Sequence, residues 1–239
     1  MSRASFTFGG KNSLSDLGLQ IEGEPRYITG QKVVDTYKVP GRNGSLIFDT
    51  GAYTDGAAEY TVSLVSHTLE ADLYKAAGAL MGPEGWQALT DTQEPTITRY
   101  AYCDNALEVV RKLKLTGKGT IHFRCKPQRY ITSDLTTQRT LTSGGTVTND
   151  YLTARPVFEI TGSGSGTLTV NSTVVTISTI TTGMLMDCEN CMTYKGTTNL
   201  SDKVSITGYD YPVLVPGSNT ISWTGGITGV KMIPRFWTL

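Results

Sequence analysis

Apolar residues recur at every second position through much of this chain, and this pattern constrains its fold more than any other feature. The segment 60–64 reads YTVSL and the segment 121–126 reads IHFRCK. A period of two places alternate side chains on opposite faces of a strand, so both segments are predicted to be half-buried strands. The one helical period runs from Leu69 to Met81, where Gly82-Pro83 ends it. The sequence therefore predicts a mainly β protein with one α-helix.

The charged residues divide the chain into two parts. Residues 1–135 hold 15 basic and 15 acidic side chains, whereas residues 136–239 hold 6 of each. We predict an N-terminal domain over 1–135, with a β-barrel or sandwich-like fold, and a C-terminal β-sandwich over 136–239. The zero net charge disfavours a protein that coats nucleic acid, because such binding depends on an excess of Lys and Arg.

Several turn-rich segments are predicted to close hairpins. Asn43-Gly44 suits a two-residue type I′ turn. The Gly-Ser repeat at 162–166 is predicted to be a flexible hairpin turn, because no helix follows to make it a phosphate-binding loop. In the second part, turns are predicted at Asn171-Ser172, at 224–226 and at Glu189-Asn190.

Residues that could perform catalysis or hold a metal are few. Four cysteines do not make a disulfide scaffold at this length, and the single C-x-x-C of Cys188 and Cys191 lacks the further ligands that zinc requires. The two histidines, His67 and His122, have no recognisable nucleophile or metal-ligand partner. Paired carboxylates for glycoside hydrolysis are not recognisable from sequence, because their separation is a property of the fold, and a wall-degrading hydrolase has no positive residue evidence.

The sequence also bears on where the chain folds. No apolar run approaches the roughly 18–20 residues that span a bilayer. The first residues lack the apolar stretch of a secretory signal. Synthesis and folding in a reducing cytosol, without a membrane partner, are therefore expected.

A basic stretch from Arg111 to Arg129 contains no acidic residue. If it forms a hairpin that turns at 117–119, its cations lie on one face of each strand. Two interpretations stay open, a solvated face or a subunit contact completed by acidic groups of a neighbouring copy. The residues predicted to form such a contact are Lys112, Lys114, Lys118, His122, Arg124 and Lys126.

Four segments, taken together and in order, resemble a known family. They are 37–46 (YKVPGRNGSL), 121–130 (IHFRCKPQRY), 186–190 (MDCEN) and 215–223 (VPGSNTISW), which leads to 234–237 (PRFW). Each segment alone is modest evidence, but the ordered set spans nearly the whole chain. The sequence resembles the distal tail protein family of siphophages, the long-tailed, non-contractile bacteriophages.

The resemblance implies a structural component of the tail-tip or baseplate hub, with no enzymatic activity and no cofactor. Its N-terminal domain would form a homo-hexameric ring around the tail axis, and its galectin-like C-terminal sandwich would project outward. The implied partners are other copies of the chain, the tail tube protein, and the tail-associated lysin, fibre or receptor-binding protein. DNA would only pass through the ring channel. The implied location is the virion tail tip, after synthesis and assembly in the host cytoplasm.

A carbohydrate-binding module for host cell-wall glycans is the alternative function. The aromatic residues that would stack on a sugar are Trp223, Tyr209, Tyr211 and Trp237. Trp223 is also predicted to be a core residue, because it shares strand parity with Ile221. The galectin sugar-binding motif depends on a histidine, and none follows His122. Lectin activity is therefore not implied by the sandwich fold.

Overall fold

The chain forms two compact units. The computed structural model describes residues 3–66, 68–105, 108–113, 116–208 and 210–239. The first unit ends at Arg129 and also includes Leu239, and the second covers Tyr130–Thr238. This division falls before the predicted domain limit at 135, so the short helix Thr132–Thr136 belongs to the second unit.

One large antiparallel sheet and one helix dominate the first unit. Hydrogen bonding orders the sheet β2-β1-β8-β9-β11-β7-β3, with β4 paired to β7 and β10 paired to β11. The elements are β1 (Phe6–Phe8), β2 (Lys11–Asn12), β3 (Leu19–Ile21), β4 (Arg26–Ile28), β5 (Lys32–Lys38), β6 (Ser45–Tyr53), β7 (Gly56–Val65), α1 (Leu69–Met81), β8 (Gln87–Asp91), β9 (Ile97–Cys103), β10 (Glu108–Leu113) and β11 (Thr116–Ile131).

The core of this unit lies on one face of β7 and β11. Tyr60 of β7 stands opposite Ile121 of β11, and both are buried. The ring of Phe6 packs against two aromatic rings of these strands. Its centre lies 5.0 Å from that of Tyr60 and 5.5 Å from that of Phe123. The two predicted half-buried strands are therefore confirmed.

The helix α1 has the predicted bounds. Leu69, Ala76 and Leu80 are buried in the core of the first unit. Asp72, in the first turn, accepts hydrogen bonds from the hydroxyls of Ser66 and Thr68. These bonds lower the pKa of the Asp72 carboxyl, and a negative charge at this end suits the helix dipole.

The predicted turn at 117–119 in the basic stretch is wrong. These residues lie inside β11, where Gly117 pairs with Arg111 of β10 and with Leu64 of β7. β10 ends at Leu113, which pairs with Thr116 at the start of β11, and the two residues between them lie outside the described ranges. Backbone hydrogen bonds to a neighbour on each side keep this segment extended despite the conformational freedom of its glycines.

The strands β5 and β6 pair only with each other and form a separate two-stranded sheet. Pairing ends at Lys38 and Ser45, so the loop has six residues instead of the predicted two-residue type I′ turn. Gly44 has a φ of +78°, but Asn43 lacks the positive φ that a type I′ turn requires. Pro40 has no N–H to continue the ladder, and this explains the longer loop.

The second unit is a single sheet that curls into a sandwich. Its elements are α2 (Thr132–Thr136), β12 (Arg139–Thr140), β13 (Gly145–Asn149), β14 (Val157–Val170), β15 (Thr173–Thr181), β16 (Met184–Asp187), β17 (Met192–Lys195), β18 (Thr198–Asn199), a 3₁₀ turn (Ser201–Lys203), β19 (Val204–Ile206), β20 (Gly217–Ile233) and β21 (Trp237–Thr238). The sheet order is β12-β20-β14-β16-β17-β18, with β13 paired to β20, β15 to β14, and β19 to β15.

The long strands β14 and β20 give this sheet its curl. The first half of β14 pairs with β16 and the second half with β15, while β20 follows it along both halves. Buried residues from both halves, such as Phe158 and Leu168, meet in one core. The predicted mainly β fold class, with a C-terminal β-sandwich, is confirmed.

Two glycine-rich segments predicted as hairpin turns are instead bulges inside these long strands. Residues 162–166 lie in β14 and residues 224–226 lie in β20, where the pairing register shifts. The two backbones approach closely here, since a Cβ added to Gly226 would lie 1.8 Å from the carbonyl oxygen of Ser163. Glycine is favoured at such a bulge because any side chain would collide with the neighbouring strand.

We expect Gly226→Ala to lower the free energy of unfolding by about 1–3 kcal/mol, because the added methyl group has to displace the backbone of β14. Urea unfolding would measure the change. The matched control is Gly78→Ala, which adds a methyl group into open space on α1. It should raise stability by about 0.5–1 kcal/mol, because alanine favours a helix more than glycine does. Equal changes in the free energy of unfolding for the two substitutions would contradict the close approach of the β14 and β20 backbones.

The remaining predicted hairpins are present. β14 and β15 join at Asn171-Ser172, with Val170 paired to Thr173. β16 and β17 join through residues 188–191, around the predicted Glu189-Asn190 turn. A local turn signal was sufficient in both cases, because each turn joins strands that are neighbours in the sheet.

Candidate assembly surfaces

The β5–β6 hairpin exposes large apolar side chains to solvent. Tyr37, Leu46 and Phe48 lie on one side of it, which we call the apolar hairpin face, and they are 59%, 40% and 62% exposed. Ile47, on the opposite side, is 71% exposed. Almost every residue of both strands is exposed. Contiguous exposed apolar surface of this kind is characteristic of a protein–protein contact.

Local contacts give the hairpin its shape without burying it. Lys32 forms an ion pair with Asp49, and the Thr50 hydroxyl donates a hydrogen bond of 2.8 Å to the carbonyl oxygen of Val33. The ion pair raises the pKa of Lys32 and lowers that of Asp49. A two-stranded hairpin is only marginally stable in water by itself. Its apolar face is therefore expected to gain stability from a second surface.

The predicted basic surface on β11 pairs with carboxylates of the same chain. Lys118 Nζ lies 2.6 Å from Glu22 Oε2. Asp104 Oδ1 lies 2.7 Å from His122 Nδ1, and Asp104 Oδ2 lies 3.3 Å from Arg124 Nε. These three side chains therefore have carboxylate partners without a neighbouring copy.

The other residues of the predicted basic surface differ from these three. The ammonium of Lys126 lies 5.6 Å from the ring centre of Trp86 and 5.8 Å from that of Tyr100, a cation–π arrangement. Lys112 lies on β10, where only the backbone is described, and Lys114 lies outside the described residues. The six residues are thus not brought together as one free basic patch by the part of the chain that is described.

A buried polar cluster supports the first unit. Asp91 accepts hydrogen bonds from the hydroxyls of Tyr60 at 2.7 Å and Tyr27 at 2.9 Å. Burial, together with the Asp91 charge and hydrogen bonds, raises the pKa of both tyrosines. Arg99 is only 2% exposed, stacks over the ring of Tyr27 and forms an ion pair with Glu94. The cluster joins strands that are distant in sequence.

In the second unit, two of the resemblance segments meet at one ion pair. Arg235 donates hydrogen bonds of 2.7 and 3.1 Å to the two carboxylate oxygens of Asp187. The same carboxylate accepts from the backbone N–H of Glu189 and from the side chain of Asn190. Asp187 therefore fixes the turn between β16 and β17. The two segments therefore stabilise this turn of the second unit.

We expect this carboxylate to make stability depend on acid pH. Burial alone raises the pKa of Asp187, but the hydrogen bonds from Arg235 and Asn190 outweigh it, so the folded pKa lies below the usual value. A lowered pKa stabilises the fold above about pH 4, the pKa of an unfolded aspartate, and this stabilisation is lost as the pH falls through the folded pKa.

Urea unfolding between pH 6 and pH 2 would measure this dependence. Asp187→Asn should be less stable than the parent at neutral pH and should lose less stability on acidification. Asp210→Asn, which removes an exposed partner of Arg155, is the control and should follow the parent curve. Parallel curves for the parent and Asp187→Asn would contradict the assignment.

The three described aromatic residues of the carbohydrate-binding alternative are not fully exposed. Trp223, Tyr211 and Trp237 are half-buried and pack against the core of the second unit. The indole N–H of Trp237 donates to the carbonyl oxygen of Thr153 at 2.9 Å. Tyr209 lies outside the described residues, as does His67. Trp223, which was predicted to be a core residue, is therefore only partly buried.

Metal ligands and membrane-spanning helices are absent from the described residues. Within the described ranges, no three His, Cys, Asp or Glu side chains are grouped so that they could hold a metal ion. The described helices include none that is long and apolar enough to cross a bilayer. The Cys188 thiol is buried, which raises its pKa, whereas Cys191 is exposed.

Two features of the structure go beyond the sequence predictions. The first is the exposed apolar surface of the hairpin, which has a sequence signal, because the consecutive apolar residues Leu46, Ile47 and Phe48 leave neither strand face polar. The second is the buried Arg99, which has no such signal, because nothing near this residue in sequence indicates that it is buried beside Asp91. Only folding brings those two groups together.

Solved structures share this fold. The Dit protein of phage SPP1, described as a paradigm of the hub adsorption apparatus of phages that infect Gram-positive bacteria, matches 97% of both chains at 15% identity, with a TM-score of 0.72. A chain of the phage P2 baseplate in its activated conformation with Ca matches 97% of both chains at 11% identity, with a TM-score of 0.52. No family model and no curated protein matches the sequence. The fold expected from the resemblance is confirmed, and the chain shares the fold of SPP1 Dit over nearly its whole length.

Proposed function

We propose that this chain is a structural hub protein of a phage tail tip, which forms a homo-hexameric ring between the tail tube protein and the lysin, fibre or receptor-binding protein. The observation that carries this proposal is the β5–β6 hairpin, whose exposed apolar residues require a covering surface. The fold likeness to SPP1 Dit supports the same role.

The two domains have separate roles in this proposal. The N-terminal domain, residues 1–135, forms the ring, and the C-terminal sandwich, residues 136–239, projects from it. A ring uses one surface of each subunit against a different surface of the next, which is a heterologous contact. The hairpin supplies one such surface. The candidates for the opposing one remain Lys112, Lys114, Lys118, His122, Arg124 and Lys126. Of these, Lys118, His122 and Arg124 would exchange their present carboxylate partners for those of a neighbouring copy.

The proposed role requires no chemical step by this chain. Its work is to bind neighbours in a fixed geometry, with DNA only passing through the channel. A neutral net charge fits this role, since it limits repulsion between subunits.

The mass of the purified full-length chain in solution tests the proposal. Light scattering should give a mass of about six chains at concentrations well above micromolar, and negative-stain images should show a ring viewed along its axis. A monomer that persists over this concentration range would contradict the ring.

A further inference from the structure

Asn43 differs from the other asparagines of this chain in how its side chain is held. The sequence has eight asparagines, and all of them lie within the described ranges. In the other seven, the side-chain amide takes part in at least one hydrogen bond. Asn43 lies exposed in the loop 39–44 between β5 and β6, and its side chain forms no hydrogen bond with any described residue. Its amide is therefore free to rotate.

The residue that follows Asn43 places a nucleophile beside this amide. Asn43 is the one asparagine in the sequence that precedes a glycine. Gly44 has no side chain to obstruct an approach to its backbone nitrogen, and its N–H donates no hydrogen bond within the described part of the chain. Attack of this nitrogen on Cγ of Asn43 closes a five-membered ring.

We propose that Asn43 is a site of self-modification, at which the backbone of this chain converts asparagine into aspartate and isoaspartate. The bond between the Gly44 nitrogen and Asn43 Cγ forms, and the bond between Cγ and Nδ2 breaks. Nδ2 leaves as ammonia with the proton that the Gly44 nitrogen loses. Water then opens the cyclic imide, at Cγ to give aspartate or at the main-chain carbonyl carbon to give isoaspartate. One water is consumed for each ammonia released, so no oxidant or metal is required.

The charges of the loop favour the product. Lys38 and Arg42 line one open groove together with Gly44. Both cations are exposed, and neither forms an ion pair with a described carboxylate. A new carboxylate beside them gains a favourable Coulomb interaction. The inference rests on the chemistry of this loop alone and does not depend on the proposed tail-tip function.

Asn171 provides a reference within the same chain. It also occupies a hairpin turn, and the small residue Ser172 follows it. Its amide is held at both ends, because Nδ2 donates to Asn219 Oδ1 at 2.8 Å and Oδ1 accepts from the Thr220 N–H at 3.0 Å. These two bonds have to break before Cγ can turn toward the next backbone nitrogen. Conversion should therefore be at least about tenfold slower than at Asn43.

Incubation of the purified full chain at mildly alkaline pH tests the proposal. Cleavage after glutamate gives the peptides 23–59 and 160–189, whose only asparagines are Asn43 and Asn171. Mass spectrometry follows the replacement of amide by carboxylate in each peptide, and chromatography separates aspartate from isoaspartate. We expect both products at Asn43 before either is seen at Asn171. No conversion at Asn43, equal rates at the two sites, or aspartate without isoaspartate would overturn the proposal.

Asn43→Gln separates attack by the Gly44 nitrogen from direct hydrolysis by water. Glutamine keeps an exposed side-chain amide but places it one carbon further from the backbone, so the attack has to close a six-membered ring. We expect conversion at position 43 to fall by at least about tenfold, because the reacting atoms are less well placed. Conversion at Asn171 in the same variant is the control and should equal that of the parent. Conversion of the variant at the parent rate would contradict the participation of Gly44.

Discussion

Replacing Leu46 and Phe48 together with serine should dissociate the assembled protein while leaving each subunit folded. Both side chains lie on the apolar hairpin face and are largely exposed in the single chain. Covering a side chain of this size contributes about 1.5–3 kcal/mol, so the loss of two should weaken the contact by at least about 100-fold. Light scattering across a dilution series would measure the shift from assembled to single chains.

The control for this experiment is Tyr74→Ser. Tyr74 lies on α1 and is 77% exposed, so it matches the hairpin residues in size and exposure but lies outside the hairpin. Both variants should keep the unfolding free energy of the parent to within about 0.5 kcal/mol, because neither touches a buried contact. A double variant that assembles like the parent would refute the role of the hairpin. Dissociation by Tyr74→Ser would place the contact elsewhere.

Replacing Arg99 with methionine should lower the free energy of unfolding by about 3 kcal/mol or more. The guanidinium lies beside the buried carboxylate of Asp91 and pairs with Glu94. Methionine fills a similar volume, so the main effect is a buried negative charge left without its cation. Urea unfolding at neutral pH would measure the loss, and the slope of the transition would show whether the folded state stays compact.

Arg26→Met is the matched control for this loss. Arg26 also pairs with a carboxylate, that of Glu59 at 3.6 Å, but its side chain is 73% exposed. Exposed pairs contribute about 0–1 kcal/mol because water screens them. Similar losses for the two variants would contradict the view that burial determines the importance of the Arg99 contacts.

These two experiments separate assembly from folding. The hairpin residues are exposed and belong to the proposed contact between molecules, whereas Arg99 is buried and stabilises the fold of the first unit. Substitutions in the hairpin should lower the mass of the assembly without changing the free energy of unfolding. Substitution of Arg99 should lower the free energy of unfolding, and the mass of the assembly should fall only when subunits unfold.

Local sequence patterns were reliable where a single element settles the structure. The period of the segment Leu69–Met81 fixed both ends of α1, because its apolar stripe and the Gly-Pro stop act within the helix itself. The alternation in 60–64 and 121–126 identified the buried faces of β7 and β11. The Asn171-Ser172 and Glu189-Asn190 turns join strands that are adjacent in both chain and sheet.

Local patterns failed where a distant strand determines the outcome. The glycines at 162–166 and 224–226 have the composition of turns, yet they form bulges because β14 and β20 pair along their full lengths. The glycines at 117–119 remain extended because β7 and β10 flank them. The composition of a glycine-rich segment does not show which strand will pair with it.

The amino-acid sequence alone determined that this chain is mainly β, where its helix lies, and which alternating residues point into each core, because these properties follow from side-chain periodicity within one element. Only the tertiary structure decided that no described residue covers the apolar hairpin face, that Lys118, His122 and Arg124 of β11 have carboxylate partners in the same chain, and that Arg99 is buried beside Asp91. Exposure and charge pairing depend on which distant segments fold against a residue.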